Sequence, residues 1–360
     1  MKTQIKKHPR QGGIAVLAAV LLLPLVAMLA FSVDYGYLLK QRARLQRAAD
    51  AAALAAVRDL VPDEDGEQDF DVAYATVREY AQANIPEISG FSVLDSDIEI
   101  GRYDPATIYS GVTLLDDGIA DTVRVTLRRD SSANSPVSLF FAHVLGIGDS
   151  DVVVTATAVL QKGTFLGPGS GVLPFTIPQH EWDALDDGEE WNVYGDGKIE
   201  DDNGNVIPGN WGTCDLGAEN NSTSDLRDQI VDGLRQSDLD ALHSNNRIPS
   251  SEHIDSRHDF NVNGDPGLSA GMKSAVTAVH GESRLVPVYD SVSGHGSGTE
   301  FHVVGWAVCK VVDSRFKGSS SSRVTLRKSN LFDGLLKPNP DLSATTGFID
   351  GAFTSPALVE

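Results

Sequence analysis

The segment from Asp259 to Asp265 carries the spacing of acids and amides that a calcium-binding loop uses. It fits the pattern D-x-[DN]-x-[DN]-G, in which alternate oxygen ligands wrap a hard cation and glycine allows a sharp turn. The twelfth position, which should supply a bidentate glutamate, is Ala270. The segment therefore predicts either a calcium site or a polar turn before a helix that starts near Leu268, and the missing glutamate favours the turn. The candidate ligands are Asp259, Asn261, Asn263 and Asp265.

No arrangement of histidines in the chain is typical of a known catalytic centre. The nine histidines are scattered, and the zinc-protease pattern H-E-x-x-H does not occur. The glycine-rich run Gly294–Gly298 lacks the lysine of a phosphate-binding loop. We therefore expect a protein that is not an enzyme and that uses no cofactor and no small-molecule substrate.

An uncharged apolar segment near the start of the chain predicts a transmembrane helix. It runs from Ile14 to Val33, and twenty helical residues span about 30 Å, the thickness of the hydrocarbon core of a bilayer. Pro24 lies inside it and predicts a kink, because neighbouring groups can satisfy the freed carbonyl. Two processed forms fit less well. A cleaved signal peptide has a shorter apolar core and a small residue where Met28 stands, and a type IV prepilin needs a glutamate that is missing after Gly13.

Charge is divided unequally along the chain. Residues 1–47 hold eight basic residues and one acid, Asp34, which leaves −28 on the remainder against −21 for the whole chain. So acidic a domain repels phosphate backbones, and we expect no nucleic-acid partner. Basic residues flank the span equally, but the amino terminus adds a charge to the short leader, so we expect the N-terminus inside and the bulk outside. Asp34 is expected to face water at the helix end.

The two cysteines, Cys214 and Cys309, both lie in the part that is expected outside the cytoplasm. In an oxidising compartment they could form a disulfide that closes a loop of about 95 residues, worth roughly 4–5 kcal/mol in the chain-entropy account. Two unrelated buried thiols are the alternative.

Periodicity after the span predicts an α+β fold. The alanine-rich stretch Tyr37–Leu60 continues the helix as a stalk, Phe70–Asn84 forms a second amphipathic helix, and Thr122–Arg128 alternates as a strand. Two small mixed α+β modules then follow the helix. We predict a basic cytoplasmic leader at 1–13, the membrane helix at 14–33, a helix-stalk module at 34–162, an acidic extracytoplasmic α+β domain at 171–330 after a glycine-rich linker, and a loose C-terminal tail at 331–360.

Several strings of the sequence carry a family resemblance. They are R-Q-G-G at 10–13, V-D-Y-G at 33–36, L-Q-R-A-A-D-A-A-A-L-A-A at 45–56 and F-F-A-H-V-L-G at 140–146. The first three strings resemble the Tad-like N-terminal region of TadE/TadG-type Flp pilus-assembly proteins, and the fourth resembles the segment that follows it in TadG-like proteins. Stretches after Gly209 resemble the uncharacterised C-terminal region of TadG-like proteins. One departure stands out. Val292 and Gly294 replace both serines of the D-x-S-x-S metal site that many TadG-like proteins carry.

The resemblance implies a single-pass protein of the bacterial inner membrane that serves a tight-adherence pilus or its secretion apparatus. It implies the bilayer and pilus or secretion-machinery proteins, or other Tad-like proteins, as partners. The mechanism we expect is anchoring through Ile14–Val33, helix packing through the alanine face of 45–56, and presentation of the outer domain. Two alternatives stay open: an adhesion or ligand-binding module on a Tad-type anchor, and an exported enzyme of unrecognised type.

Overall fold

The computed structural model describes residues 12–63, 65–103, 119–193, 212–217, 222–266, 270–294, 298–316, 322–339 and 349–359. The helices in these residues are α1 (Gly12–Ala56), α2 (Phe70–Asn84), α3 (Gln179–Ala184), α4 (Thr223–Asp232), α5 (Gln236–Ser244) and α6 (Lys273–Ala278). The strands are β1 (Ile98–Gly101), β2 (Thr122–Arg129), β3 (Val137–Ser138), β4 (Asp149–Ser150), β5 (Val152–Leu166), β6 (Ile177–Pro178), β7 (Glu190–Val193), β8 (Gly212–Cys214), β9 (Ile254–Asp255), β10 (Phe260–Pro266), β11 (Ser283–Ser293), β12 (Thr299–Arg315), β13 (Arg323–Lys328), β14 (Leu331–Phe332), β15 (Lys337–Pro338) and β16 (Ala352–Val359). The predicted α+β fold with one long apolar N-terminal helix is confirmed.

Helix α1 changes character along its length. Between Leu17 and Val33 the large apolar side chains that the structure describes are exposed all around the helix. By length and composition this helix could cross a membrane, and Pro24 lies within it. Further on, the alanine face is buried in the chain itself: Ala48, Ala49, Ala52 and Ala53 have no exposed surface. That face was expected to pack against other helices, but in this structure it is not available to a partner.

The chain divides into two compact units. The first comprises the residues up to Ala55, Tyr74–Glu99 and Arg124–Thr157. In it β2 lies between β1 and β5. Polar contacts join the buried half of α1 to the rest of this unit. The side-chain amide of Gln46 donates a hydrogen bond to the carbonyl oxygen of Thr155 at 3.0 Å. Arg44 also pairs with Glu87 at 2.9 Å.

The second unit contains two sheets. One has the strand order β6-β11-β12-β10-β8, and β13 joins β12 to β7. β11 and β12 form its long central hairpin, and Phe301, Ala307, Val308 and Val311 of β12 have no exposed surface. The other strands of this unit belong to the seven-stranded sheet that also contains β1 and β2: β5 pairs with β9, β15 and β16, and β14 runs parallel to β16.

Three elements differ from the expectations. β5 continues to Leu166, so the first residues of the predicted glycine-rich linker are strand. The predicted loose tail contains β16, whose Ala352 and Phe353 are buried. Helix α5 was not expected from the sequence, because its N-cap is Arg235 and not one of the short polar residues that usually cap helices. The Asp238 side chain instead accepts a hydrogen bond from the backbone N–H of Arg235 at 2.9 Å. The domain limits themselves stay predictions.

Candidate functional site

Asp34 joins α1 to a loop that follows it by more than a hundred residues. The Asp34 carboxylate is buried and accepts hydrogen bonds from three successive backbone N–H groups, those of Phe140 (2.8 Å), Phe141 (3.0 Å) and Ala142 (2.7 Å). Asp34 directly follows Val33, the last residue of the apolar segment. These bonds therefore fix the loop at the point where α1 leaves the predicted span.

A short ribbon carries this loop. β3 and β4 pair antiparallel, and a single turn of 3-10 helix, Ala142–Leu145, lies between them. Gly146 ends the turn in the left-handed region (φ 83°), which glycine adopts without a side-chain clash. The N–H of Ile147 then returns to the Ala142 carbonyl at 3.1 Å, so the loop is closed by its own backbone. We call residues 140–147 the tip loop.

The charge of Asp34 suits this position. The start of a helical turn leaves N–H groups without partners inside the helix, and a carboxylate satisfies both their hydrogen bonds and their partial positive charge. Burial alone raises the pKa of Asp34, but the N–H groups of Phe140, Ala142 and Phe141 and the nearby His143 outweigh it, so the pKa lies below its usual value. The carboxylate is therefore charged at neutral pH.

Aromatic and basic side chains surround the junction. Tyr37 meets the Phe140 ring edge-on at a centroid distance of 5.0 Å, and Phe31 stacks on Tyr35 at 5.8 Å. Lys40, one turn further along α1, is exposed. Aromatic rings followed by basic residues are typical of the boundary between a bilayer and water.

A charged network braces the turn that leads into the ribbon. Arg128 Nε donates to Asp97 Oδ2 at 2.7 Å, Arg128 Nη2 also contacts the other oxygen of that carboxylate, and Nη1 reaches Asp130 at 3.2 Å. Asp130 accepts from the N–H groups of Ser132 (2.8 Å) and Ala133 (3.1 Å). Burial raises the pKa of Asp130, but these N–H groups and Arg128 outweigh it and lower the pKa. The bond to Asp97 raises the pKa of Arg128, so its guanidinium stays charged.

The Asp34 junction can hold the tip loop at a fixed place on α1, and its side chains form no nucleophile–base pair. In the part of the chain that the structure describes, no group of three or more His, Cys, Asp or Glu side chains could hold a metal ion. What the geometry offers is a rigid connection between an apolar helix and an exposed loop.

The predicted calcium segment is part of a sheet. Asn261 and Asn263 lie in β10, which pairs with β12 on one side and with β8 on the other. An extended strand cannot wrap around a cation, so the segment forms neither the predicted loop nor the predicted turn. Its glycine has a packing reason, because a Cβ on Gly264 would lie 2.2 Å from Cε2 of Phe301. The remaining candidates, Asp259 and Asp265, stand at the start and near the end of this strand.

The predicted disulfide is not formed, and the sheet explains why. Cys214 and Cys309 are both free and buried. Cys214 lies opposite Gly264 on β10, and Gly264 lies opposite Thr299 on β12, ten residues before Cys309. Cys309 lies opposite Arg284 on β11, so the two thiols stand on different strands among different neighbours. Burial raises the pKa of both thiols, and each belongs to a separate core cluster.

Asp34 is the site residue whose role the sequence reasoning missed. It was expected to face water, whereas the structure buries it under the tip loop. A signal was present, since the strings V-D-Y-G at 33–36 and F-F-A-H-V-L-G at 140–146 contain the two partners. The predicted span residues Ile14, Pro24 and Val33 all lie in α1.

Two family models match the chain. Residues 12–59 match putative TadE/G-like Flp pilus-assembly proteins, and residues 40–158 match putative Tad-like Flp pilus-assembly proteins. No curated protein and no solved structure matches. The likeness expected after Gly209 lies beyond both matches and stays a prediction. The matched residues include both Asp34 and the tip loop, and they support a component associated with the Tad pilus. Over residues 12–158 the chain is thus similar to the TadE/G-like and Tad-like families of Flp pilus-assembly proteins.

Proposed function

We propose that this protein is a membrane-anchored assembly or accessory component of a Tad/Flp-type pilus or its secretion system, acting through protein–protein contacts. The observation that carries the proposal is the Asp34 junction. The large apolar side chains described from Leu17 to Val33 are exposed. One residue later, Asp34 joins this helix by hydrogen bonds to the tip loop, which lies in the region that the Tad-like model matches. This geometry suits a protein that is anchored in a membrane and holds a partner protein at a fixed place relative to that membrane.

The exposed apolar side chains of α1 support a membrane anchor. Leu21, Leu25, Met28 and Leu29 are each more than half exposed, and an uninterrupted row of such side chains is unfavourable in water. A bilayer supplies the apolar surroundings, and the helix satisfies its own backbone there. We place the N-terminus in the cytoplasm and the acidic bulk outside the inner membrane.

Topology is tested with two reporters fused in turn after Glu360, one active only in the cytosol and one active only after export. We expect activity from the exported reporter alone, and release of the protein by detergent but not by salt or alkaline carbonate. A signal from the cytosolic reporter would overturn the orientation, and release by salt would overturn the anchor.

The assembly role is tested by crosslinking the intact protein in cells that make the pilus, followed by purification in detergent. We expect the pilus ATPase, the platform proteins, the secretin or other Tad-like proteins among the crosslinked partners. Asp34→Ala is the informative variant, with the exposed Asp149→Ala as its matched control. Loss of crosslinks in the first variant alone supports the role of the junction. Capture of extracellular glycan or matrix, without any of these machinery proteins, would instead favour an adhesion module.

A further inference from the structure

We propose that the tip loop is a second membrane contact, which inserts its apolar side chains into the lipid leaflet beside the end of α1. This inference rests on the proposed membrane anchor. The partner is a lipid surface, and the loop and helix together would hold the first unit against the bilayer at two points.

The tip loop exposes a group of large apolar side chains. Phe140 is 63 % exposed, Val144 88 % and Ile147 53 %, and Phe141 is also exposed. At the base of the ribbon, by contrast, Val137 and Leu139 are buried. The loop is therefore well folded at its base and apolar on its outer surface, which is the pattern of a surface that meets an apolar phase.

The position of the loop specifies lipid as that phase. The hydrogen bonds to Asp34 place it one residue past the end of the apolar segment. A helical side chain leans toward the N-terminus of its helix, so the Asp34 carboxylate points back toward the span. Ala30, one turn earlier on the same face, is half-buried, while every other side chain described between Leu17 and Val33 is exposed.

Charge agrees with this placement. From Val137 to Gly148 the sequence has no Asp, Glu, Lys or Arg, and its one titratable side chain, that of His143, lies 2.7 Å from the Leu139 carbonyl. Lys40 and Arg42 are exposed on α1 past the junction, where they can reach lipid phosphates. The apolar tip and the basic residues thus follow the order of a bilayer interface.

The test measures the depth of the tip in the full-length protein, reconstituted in phosphatidylethanolamine–phosphatidylglycerol vesicles. Single cysteines are introduced as Val144→Cys in the tip, Leu22→Cys in the span and Ala75→Cys on the exposed side of α2, and each is labelled with an environment-sensitive fluorophore. The two native thiols are buried, and labelled wild type gives the background. Quenching by lipids that carry a nitroxide near the top of the acyl chain then reports contact with the bilayer.

We expect the probe at 144 to be quenched at least about twofold more strongly than the probe at 75, as for side chains within about 5–10 Å of the headgroup boundary. Quenching at 22 but not at 144 would overturn the tip contact and leave the anchor standing. No quenching at 22 would overturn the anchor and this inference with it. A probe at 144 that is shielded from a water-soluble thiol reagent but not quenched by lipid would show that protein covers the tip, which also overturns the assignment to lipid.

Discussion

The Asp34 carboxylate accepts a hydrogen bond from the backbone N–H of Ala142 at 2.7 Å, across 108 residues of sequence. This contact, with its two neighbours at Phe140 and Phe141, connects the end of the apolar helix to the tip loop. Both partners lie in the region that matches Tad-like families. The buried Asp34 carboxylate therefore has a structural role at the end of the apolar helix, which is to accept these three hydrogen bonds.

Replacing Asp34 tests this connection. Asp34→Ala leaves three N–H groups without their acceptor, and an unsatisfied buried donor costs about 1–3 kcal/mol. We expect amide hydrogens of 139–148 to exchange faster in detergent-solubilised protein, measured by mass spectrometry. The exposed Asp149→Ala on β4 should leave the exchange of this segment unchanged, and equal effects of the two variants would contradict the capping role.

Two ion pairs of the first unit should differ in strength because their burial differs. Arg128 contacts Asp97, whose side chain is only 5 % exposed, whereas Arg78 contacts Asp95, whose side chain is 84 % exposed. We expect Arg128→Ala to lower the free energy of unfolding by about 3 kcal/mol, because a buried carboxylate loses its partner. Arg78→Ala should cost about 0–1 kcal/mol. Denaturant titration of both variants measures the contrast, and similar losses would show that burial does not set the strength of these pairs.

The pH dependence of stability should report Asp130. Its pKa is lowered in the folded protein by the N–H groups of Ala133 and Ser132 and by Arg128, against the opposing effect of burial. A carboxyl group whose pKa is lowered by folding stabilises the fold at pH values above its ordinary pKa of about 3.9. This contribution to stability disappears as the pH falls through the pKa of the folded state. Asp130→Asn keeps an oxygen for the turn but has no charge.

We therefore expect wild type to be more stable than Asp130→Asn at neutral pH, with a gap that closes as the pH falls below about 4. Unfolding curves at neutral and acidic pH measure this gap. A gap that widens on acidification would show that the carboxylate is not stabilised in its charged form.

Two strand glycines should respond oppositely to alanine. A Cβ at Gly264 would lie 2.2 Å from Phe301, a side chain with no exposed surface, so Gly264→Ala should destabilise the protein by about 1–3 kcal/mol through overpacking. Gly305 on the neighbouring β12 has nothing within 4 Å of the same point. Gly305→Ala should therefore be neutral or slightly stabilising, because it restricts the unfolded chain. Thermal unfolding gives the melting temperature of each variant, and equal shifts from the wild-type value would contradict the packing explanation.

The sequence by itself determined the elements that depend on local order. Twenty uncharged apolar residues are enough to specify a long apolar helix, and the spacing of Phe70–Asn84 predicted α2 with the bounds it has. Ser222 caps α4 by accepting a hydrogen bond from the N–H of Asp225, three residues away. These features follow from periodicity and hydrogen bonding within a few residues of the chain.

Only the tertiary structure decided which distant residues meet. Local spacing made Asp259–Asp265 look like a metal loop, but pairing with β8 and β12 draws the same residues into a strand. Two cysteines looked like a disulfide, but each is buried as a free thiol in a separate core cluster. Asp34 looked like a solvated helix end, yet the ribbon of β3 and β4 brings the tip loop over it. Contacts of this kind depend on the register and packing of segments that are remote in sequence, and no local pattern carries that information.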